Sequence, residues 1–198
     1  MIDSTERYIA YNPLKWELMY GEAAALRIRE PLFSPRLDMG DYWKGVGNIA
    51  LLGEGERLVA LRVSREVSSD EAVSRVVARM ENAVEGGYVI LSGFISKGER
   101  AVRDMLCRRR GAKFIKIRPS CIPNARFRPE SIYVNAFAEN RFLEIGKGND
   151  EVAFGRGACL DLNEEIVKIA TAGEGLAVYW KADGPRVVAA GAKAAAIE

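Results

Sequence analysis

From about residue 57 the apolar positions of this chain alternate between two patterns, short continuous runs and stripes at helical spacing. The runs are Leu58–Val63, Tyr88–Leu91, Lys113–Ile117, Arg141–Ile145 and Gly175–Trp180. Short apolar runs bounded by polar, Gly or Pro positions predict strands covered on both faces. Between them Val73, Val76, Val77, Met80 and Val84 recur at steps of three and four, as do Ala101, Val102, Met105 and Leu106, and then Leu162, Ile166, Ile169 and Ala170. Each set predicts a helix with one buried stripe. Ser68-Ser69-Asp70-Glu71 is a helix start, with acidic groups at the positive end of the dipole, and Gly86-Gly87 is a stop. The next helix opens near Lys97 and ends at Gly111, and the last stripe ends at Gly173. Arg128-Pro129-Glu130 opens a short helix, since proline is tolerated in a first turn. Arg186–Ala190 is a candidate sixth strand at an edge, and the Ala-rich stretch from Gly191 to Glu198 is expected to fray.

Strands separated by helices of this size favour an α/β fold with a doubly wound, mostly parallel sheet and helices on both faces. Residues 1–45 are different in character. They carry two of the three tryptophans, and breakers at Pro13, Pro31, Pro35 and Gly40. Leu14, Leu18, Ala25 and Leu26 predict a helix over about 14–29 that ends before Pro31. Tyr42-Trp43-Lys44-Gly45 reads as a connector with an aromatic anchor. The expected organisation is a small helical, aromatic extension over 1–45 and an α/β domain over 46–198.

Composition removes more functions than it suggests. The chain has no histidine, which excludes Ser-His-Asp triads, Cys-His dyads and most zinc sites. Cys107, Cys121 and Cys159 are scattered with no C-x-x-C pair, as expected of reduced thiols in the cytoplasm. The carboxylates, including Glu164-Glu165 and Asp150-Glu151, show no spacing that assigns an acid and a base. The expectation is therefore no catalytic group, no metal, no cofactor and no enzyme. Met1-Ile-Asp-Ser-Thr-Glu is polar and acidic, so no signal peptide is visible, and no apolar run approaches the ~20 residues of a membrane span. A net charge of +2 allows a nucleic-acid partner without demanding one.

Chemistry is expected at the carboxyl ends of the strands, where open α/β sheets bind ligands. Ser92-Gly93 follows the second run, and its glycine lets backbone approach a ligand closely while the hydroxyl adds a donor. Lys97 and Arg100 supply positive charge beside it. Ser64-Arg65 follows the first run at the same edge, equally readable as a phosphate contact or as a helix cap with a solvated arginine. Gly155-Arg156-Gly157-Ala158 reads as an anion nest or, more simply, as a loop entering a helix. Arg108-Arg109-Arg110, with Lys113, Lys116 and Arg118 nearby, reads as a track for a nucleic-acid backbone or, more simply, as solvated cations that complement the dipole of a last helical turn. No G-x-x-x-x-G-K-[ST] is present, and no G-x-G-x-x-G follows the first strand.

Taken in order, Gly47 to Trp180 resembles the Rossmann-like domain of the DNA-processing protein A family, also called Smf. Val59-Ala-Leu-Arg-Val-Ser64-Arg65 is similar to that family's strand ending in G-S-R, with Val63 in place of the glycine. Tyr88-Val-Ile-Leu-Ser92-Gly93-Phe94 matches its S-G strand and loop, and Pro123 falls where the family has a proline-bearing loop. Ala158 to Ala170 resembles the helix that carries an R-N-R motif, of which Asn163 stands here between Leu162 and Glu164. The resemblance implies single-stranded DNA, or a related polynucleotide, as the ligand, with Ser64, Arg65, Ser92, Gly93, Lys97 and Asn163 as the site. It also implies a recombination protein as partner, and leaves a homodimer open. The alternative is a nucleotide-derivative sensor or a phosphoribohydrolase-like domain in the same pocket. The superfamily's phosphoribohydrolases carry P-G-G-x-G-T with a glutamate, and this chain has no such run. A third reading makes the N-terminal region a docking module beside an idle pocket.

Overall fold

In the computed structural model the described residues are 26–123, 127–148, 156–173, 176–180 and 193–196. Seven strands form one sheet: β1 (Trp43–Gly47), β2 (Leu58–Val63), β3 (Val89–Ser92), β4 (Phe114–Arg118), β5 (Phe142–Lys147), β6 (Leu176–Trp180) and β7 (Lys193–Ala196). The helices are α1 (Asp70–Glu85), α2 (Lys97–Arg108), α3 (Val134–Ala138) and α4 (Arg156–Thr171), with 3₁₀ turns at Ile49–Leu52 and Ser131–Tyr133. The strand order is β1-β5-β4-β3-β2-β6-β7. Every neighbouring pair is parallel except β1 on β5. From β2 the chain winds outward to β5, then returns to place β6 on the other side of β2. The sheet is thus doubly wound as its hydrophobic pattern predicts, and its order reverses between β2 and β6.

Alternation along the strands sorts the core into two layers. Val59, Leu61 and Val63 of β2 join Val76, Met80, Val102, Leu106 and Phe137 on the α1–α2–α3 face. Leu58 and Ala60 join Leu162, Ile166, Ile169 and Ala170 on the α4 face. Both helices that lead toward the site are capped as their sequences demand. Ser69 Oγ accepts from Ala72 N at 3.3 Å to start α1. Ser96 Oγ accepts from Glu99 N at 3.2 Å, and Glu99 Oε2 accepts from Ser96 N at 3.1 Å, closing a capping box at the start of α2.

Four regions depart from the sequence expectation. Tyr42–Gly45 is not a connector, because Trp43–Gly47 pairs along the outer edge of β5, with Trp43 1% and Val46 0% exposed. Gly47 ends that strand at φ +108°, a left-handed conformation, and a Cβ there would strike the Phe142 carbonyl. The helix expected over 14–29 does not reach Arg29, which is extended and exchanges hydrogen bonds with Gly45 at 2.8 and 3.1 Å. Residues 14–25 lie outside the described residues. Lys193–Ala196, expected to fray, forms β7 parallel to β6. The candidate strand at Arg186–Ala190 lies outside the described residues. The short third helix begins later than expected, with Val134 following a 3₁₀ turn that opens at Ser131. Among the described residues, no helix is long and apolar enough to cross a membrane.

An aromatic cluster fixes the α1–α2–α3 layer. Phe142 is fully buried and lies 4.6 Å from the Tyr133 ring, stacked, and 4.7 Å from both Phe114 and Phe137. Phe142→Ala should therefore lower stability by about 3–5 kcal/mol in urea denaturation; a loss below ~1 kcal/mol would show that the cluster repacks without a cavity.

Candidate ligand cavity at the carboxyl edge of the sheet

A cavity of about 620 Å³ opens where β2 and β3 end and α4 passes over them. Arg62, Ser64, Arg65, Gly93, Glu99 and Asn163 are among its lining residues. β2 ends at Val63, so Ser64 and Arg65 leave the sheet at this point. Ser64 Oγ accepts from Glu66 N at 3.2 Å, and its carbonyl accepts from Val67 N at 3.1 Å, which shapes a tight turn. Arg65 stretches across the opening, its Nη2 3.8 Å from Cys159 Sγ on α4. Asn163 lies one helical turn beyond Cys159, on the same side of α4. Gly93 lets the β3–α2 turn come against that helix, since a Cβ there would sit 2.9 Å from Leu162 Cδ2.

The structure brings Ser64, Arg65, Gly93 and Asn163 together around this space; Ser92 and Lys97 are not among its lining residues. Ser92 is 0% exposed and its Oγ accepts from Phe94 N at 3.2 Å, so the oxygen is buried and engaged in its own turn. Lys97 Nζ turns toward α1, donating to Ser68 O at 2.7 Å and to Asp70 Oδ1 at 2.9 Å. That hydrogen bond and the ammonium charge hold Asp70 below the usual carboxylate range. Arg100 Nη1 donates to Ile95 O at 2.6 Å. Arg109 pairs with Glu85 at 3.0 Å, tying the end of α2 to the end of α1. Of the Gly155–Ala158 segment, Gly155 lies outside the described residues and Ala158 belongs to α4.

Two residues absent from the sequence-based site dominate the inner wall. Glu99 is 6% exposed, and its carboxylate accepts three backbone N–H groups: Val63 N at 3.0 Å, Ile95 N at 2.7 Å and Ser96 N at 3.1 Å. Burial pushes its pKa above the ordinary carboxylate range, against the opposing pull of those three donors and of the Arg62 charge. Arg62, next to the last residue of β2, is 2% exposed. The backbone donors expected to cradle a phosphate at the Ser92-Gly93 turn are thus bound to Ser92 Oγ and to Glu99. The Ser96-x-x-Glu99 capping box is the signal in the sequence that marks this carboxylate. Beyond Leu162, which lines both, a second space of about 500 Å³ includes Trp43, Arg118, Lys147 and Glu165. Its Lys147 is paired at 2.6 Å with Asp41 and at 3.4 Å with Glu165.

The fold and this crevice define an open α/β domain with a cavity beside its topological switch point. Solved structures share the fold, two of them DNA processing proteins. One is the DNA processing protein A of Helicobacter pylori, solved for its single-stranded DNA binding mode, at TM-score 0.59 and 14% identity over 83% of this chain and 76% of that one. The other is DNA processing protein A (DprA) from Streptococcus pneumoniae, at TM-score 0.59 and 16% identity over 97% of this chain and 69% of that one. No family model and no curated protein matches the chain.

Removing the buried carboxylate should be costly. An amide cannot accept at both former oxygen positions, so Glu99→Gln leaves at least one of the three N–H groups without its acceptor and should cost about 1–3 kcal/mol in denaturant unfolding. Lys97→Ala, on an exposed pair, should move the unfolding midpoint far less; equal effects would contradict the reading of Glu99 as the structural anchor.

Proposed function

We propose that this protein binds single-stranded DNA, or a related phosphate-bearing polynucleotide, in the β2–β3–α4 cavity, as a non-enzymatic component of DNA processing or recombination. The observation that carries the reading is the pairing of Ser64-Arg65 with Asn163 across one crevice, in a fold shared with a protein solved for its single-stranded DNA binding mode. In this reading the Arg65 guanidinium and the Ser64 hydroxyl hold a backbone phosphate, because a planar cation with several donors matches phosphate oxygens. Asn163 carries an amide with both donors and acceptors, suited to a base edge. Gly93 keeps the floor of the cavity open. Lys97 and Ser92 serve the scaffold. A recombination protein that receives the bound strand is the partner this reading implies.

A second reading, a sensor of small nucleotide derivatives, draws on the cavity's size, which falls within the ~300–1,000 Å³ range of small-ligand sites. The two separate in solution. Fluorescence anisotropy with an oligo-dT strand at low salt should show binding that weakens steeply as salt rises. Arg65→Ala should weaken it at least about tenfold and reduce the salt slope by about one, whereas Lys97→Ala should change affinity by less than about twofold. Binding that ignores Arg65→Ala would overturn the assignment. Thermal stabilisation by a mononucleotide, with none by the oligonucleotide, would favour the sensor.

A further inference from the structure

The inner wall of the cavity is built like an anion seat, yet the anion in it belongs to the chain. Val63 N, Ile95 N and Ser96 N converge on the Glu99 carboxylate at 2.7–3.1 Å. Val63, Ile95 and Ser96 line the same cavity as Ser64 and Arg65. Convergent N–H groups at the start of a helix such as α2 are the usual place for a ligand phosphate in an α/β sheet. Here a second anion would have to displace a carboxylate held by three charge-assisted hydrogen bonds, or lie against its negative charge. Arg62 is buried beside this wall and already acts on Glu99 electrostatically. Glu66, also in the lining, adds a further carboxylate near the mouth. Among the described residues, that leaves the exposed Arg65, on the outer side, as the lining's remaining cation.

We propose that Glu99 sets the ligand class of this cavity: by filling the backbone anion seat it leaves room for one phosphate, at Ser64-Arg65, and excludes the consecutive phosphates of nucleoside di- and triphosphates. This rests on the reading of the cavity as a phosphodiester site, and it gives that site its selectivity. A polynucleotide offers one charge per phosphate, spaced by a sugar, and satisfies the arrangement. Pyrophosphate and nucleotide tails place charges side by side, where the second meets Glu99.

The test compares phosphate with pyrophosphate, AMP with ADP, and an oligo-dT strand, by calorimetry without divalent metal, on the wild-type chain, Glu99→Ala and Glu99→Gln. The wild type should bind pyrophosphate and ADP no more than about threefold tighter than phosphate and AMP. Glu99→Ala vacates the seat and should raise the preference for pyrophosphate over phosphate at least about tenfold, the worth of one charge-assisted hydrogen bond. Glu99→Gln should raise it less, because the amide still occupies the space. A wild-type preference for pyrophosphate of about tenfold or more overturns the proposal, as does a folded Glu99→Ala chain with no gain. Should Glu99→Ala fail to fold, the wild-type comparison and Glu99→Gln decide the question. Wild-type protein that ignores oligo-dT overturns the polynucleotide reading, while the pyrophosphate comparison still judges the seat.

Discussion

The carboxylate of Glu99 ties the end of β2 to the start of α2. It holds one N–H from β2 and two from the turn after β3, and the two turns that form the floor of the cavity are set by those bonds. A carboxylate this deeply buried is costly to desolvate, and three donors with a nearby guanidinium are what make it tolerable. The position of Ser64 and Arg65 follows from it, because they continue directly from Val63. So does the approach of Gly93 to Leu162 on α4. Lys97, next to the capping serine, then anchors the same helix start to α1 through Ser68 and Asp70.

The sheet was readable in the sequence because its central strands are covered on both faces, and such strands show as uninterrupted apolar runs. Their helices were readable from steps of three and four, and from caps such as Ser69. β1 was not, since Trp43-Lys44-Gly45-Val46-Gly47 holds two glycines and a lysine and owes its strand state to the open edge of β5 rather than to its own preferences. β7 was hidden for a similar reason: an alanine-rich stretch carries no strand signal until β6 offers an edge.

The cavity was legible in outline, and the carboxylate at its centre was not. Counting strands and helices brings Ser64, Arg65, Gly93 and Asn163 to one edge, and the structure has them around one space. Residue type and proximity in sequence point to Ser92 and Lys97 as well, and both are engaged elsewhere. The Ser92-Gly93 turn does present N–H groups, but local pattern shows donors without showing their acceptor. One of the three donors to Glu99 comes from Val63, 36 residues earlier, and only the folded sheet brings it within reach. The carboxylate that converts a phosphate cradle into a structural clasp could be suspected from its capping box, and its link to β2 could not.

The functional consequence is a one-sided cavity: a cation and a hydroxyl after β2, an amide on α4, and an inner wall whose backbone donors are already held by the chain's own carboxylate. The most direct measurement is a backbone-amide NMR titration of the full chain with oligo-dT at low salt. The account predicts the largest shifts at Ser64, Arg65, Glu66, Gly93 and Asn163, with smaller changes at Ile95 and Ser96, whose N–H groups stay on Glu99. Shifts gathered instead around Arg108, Arg109, Arg110 and Lys113, with the β2–β3–α4 crevice silent, would contradict it.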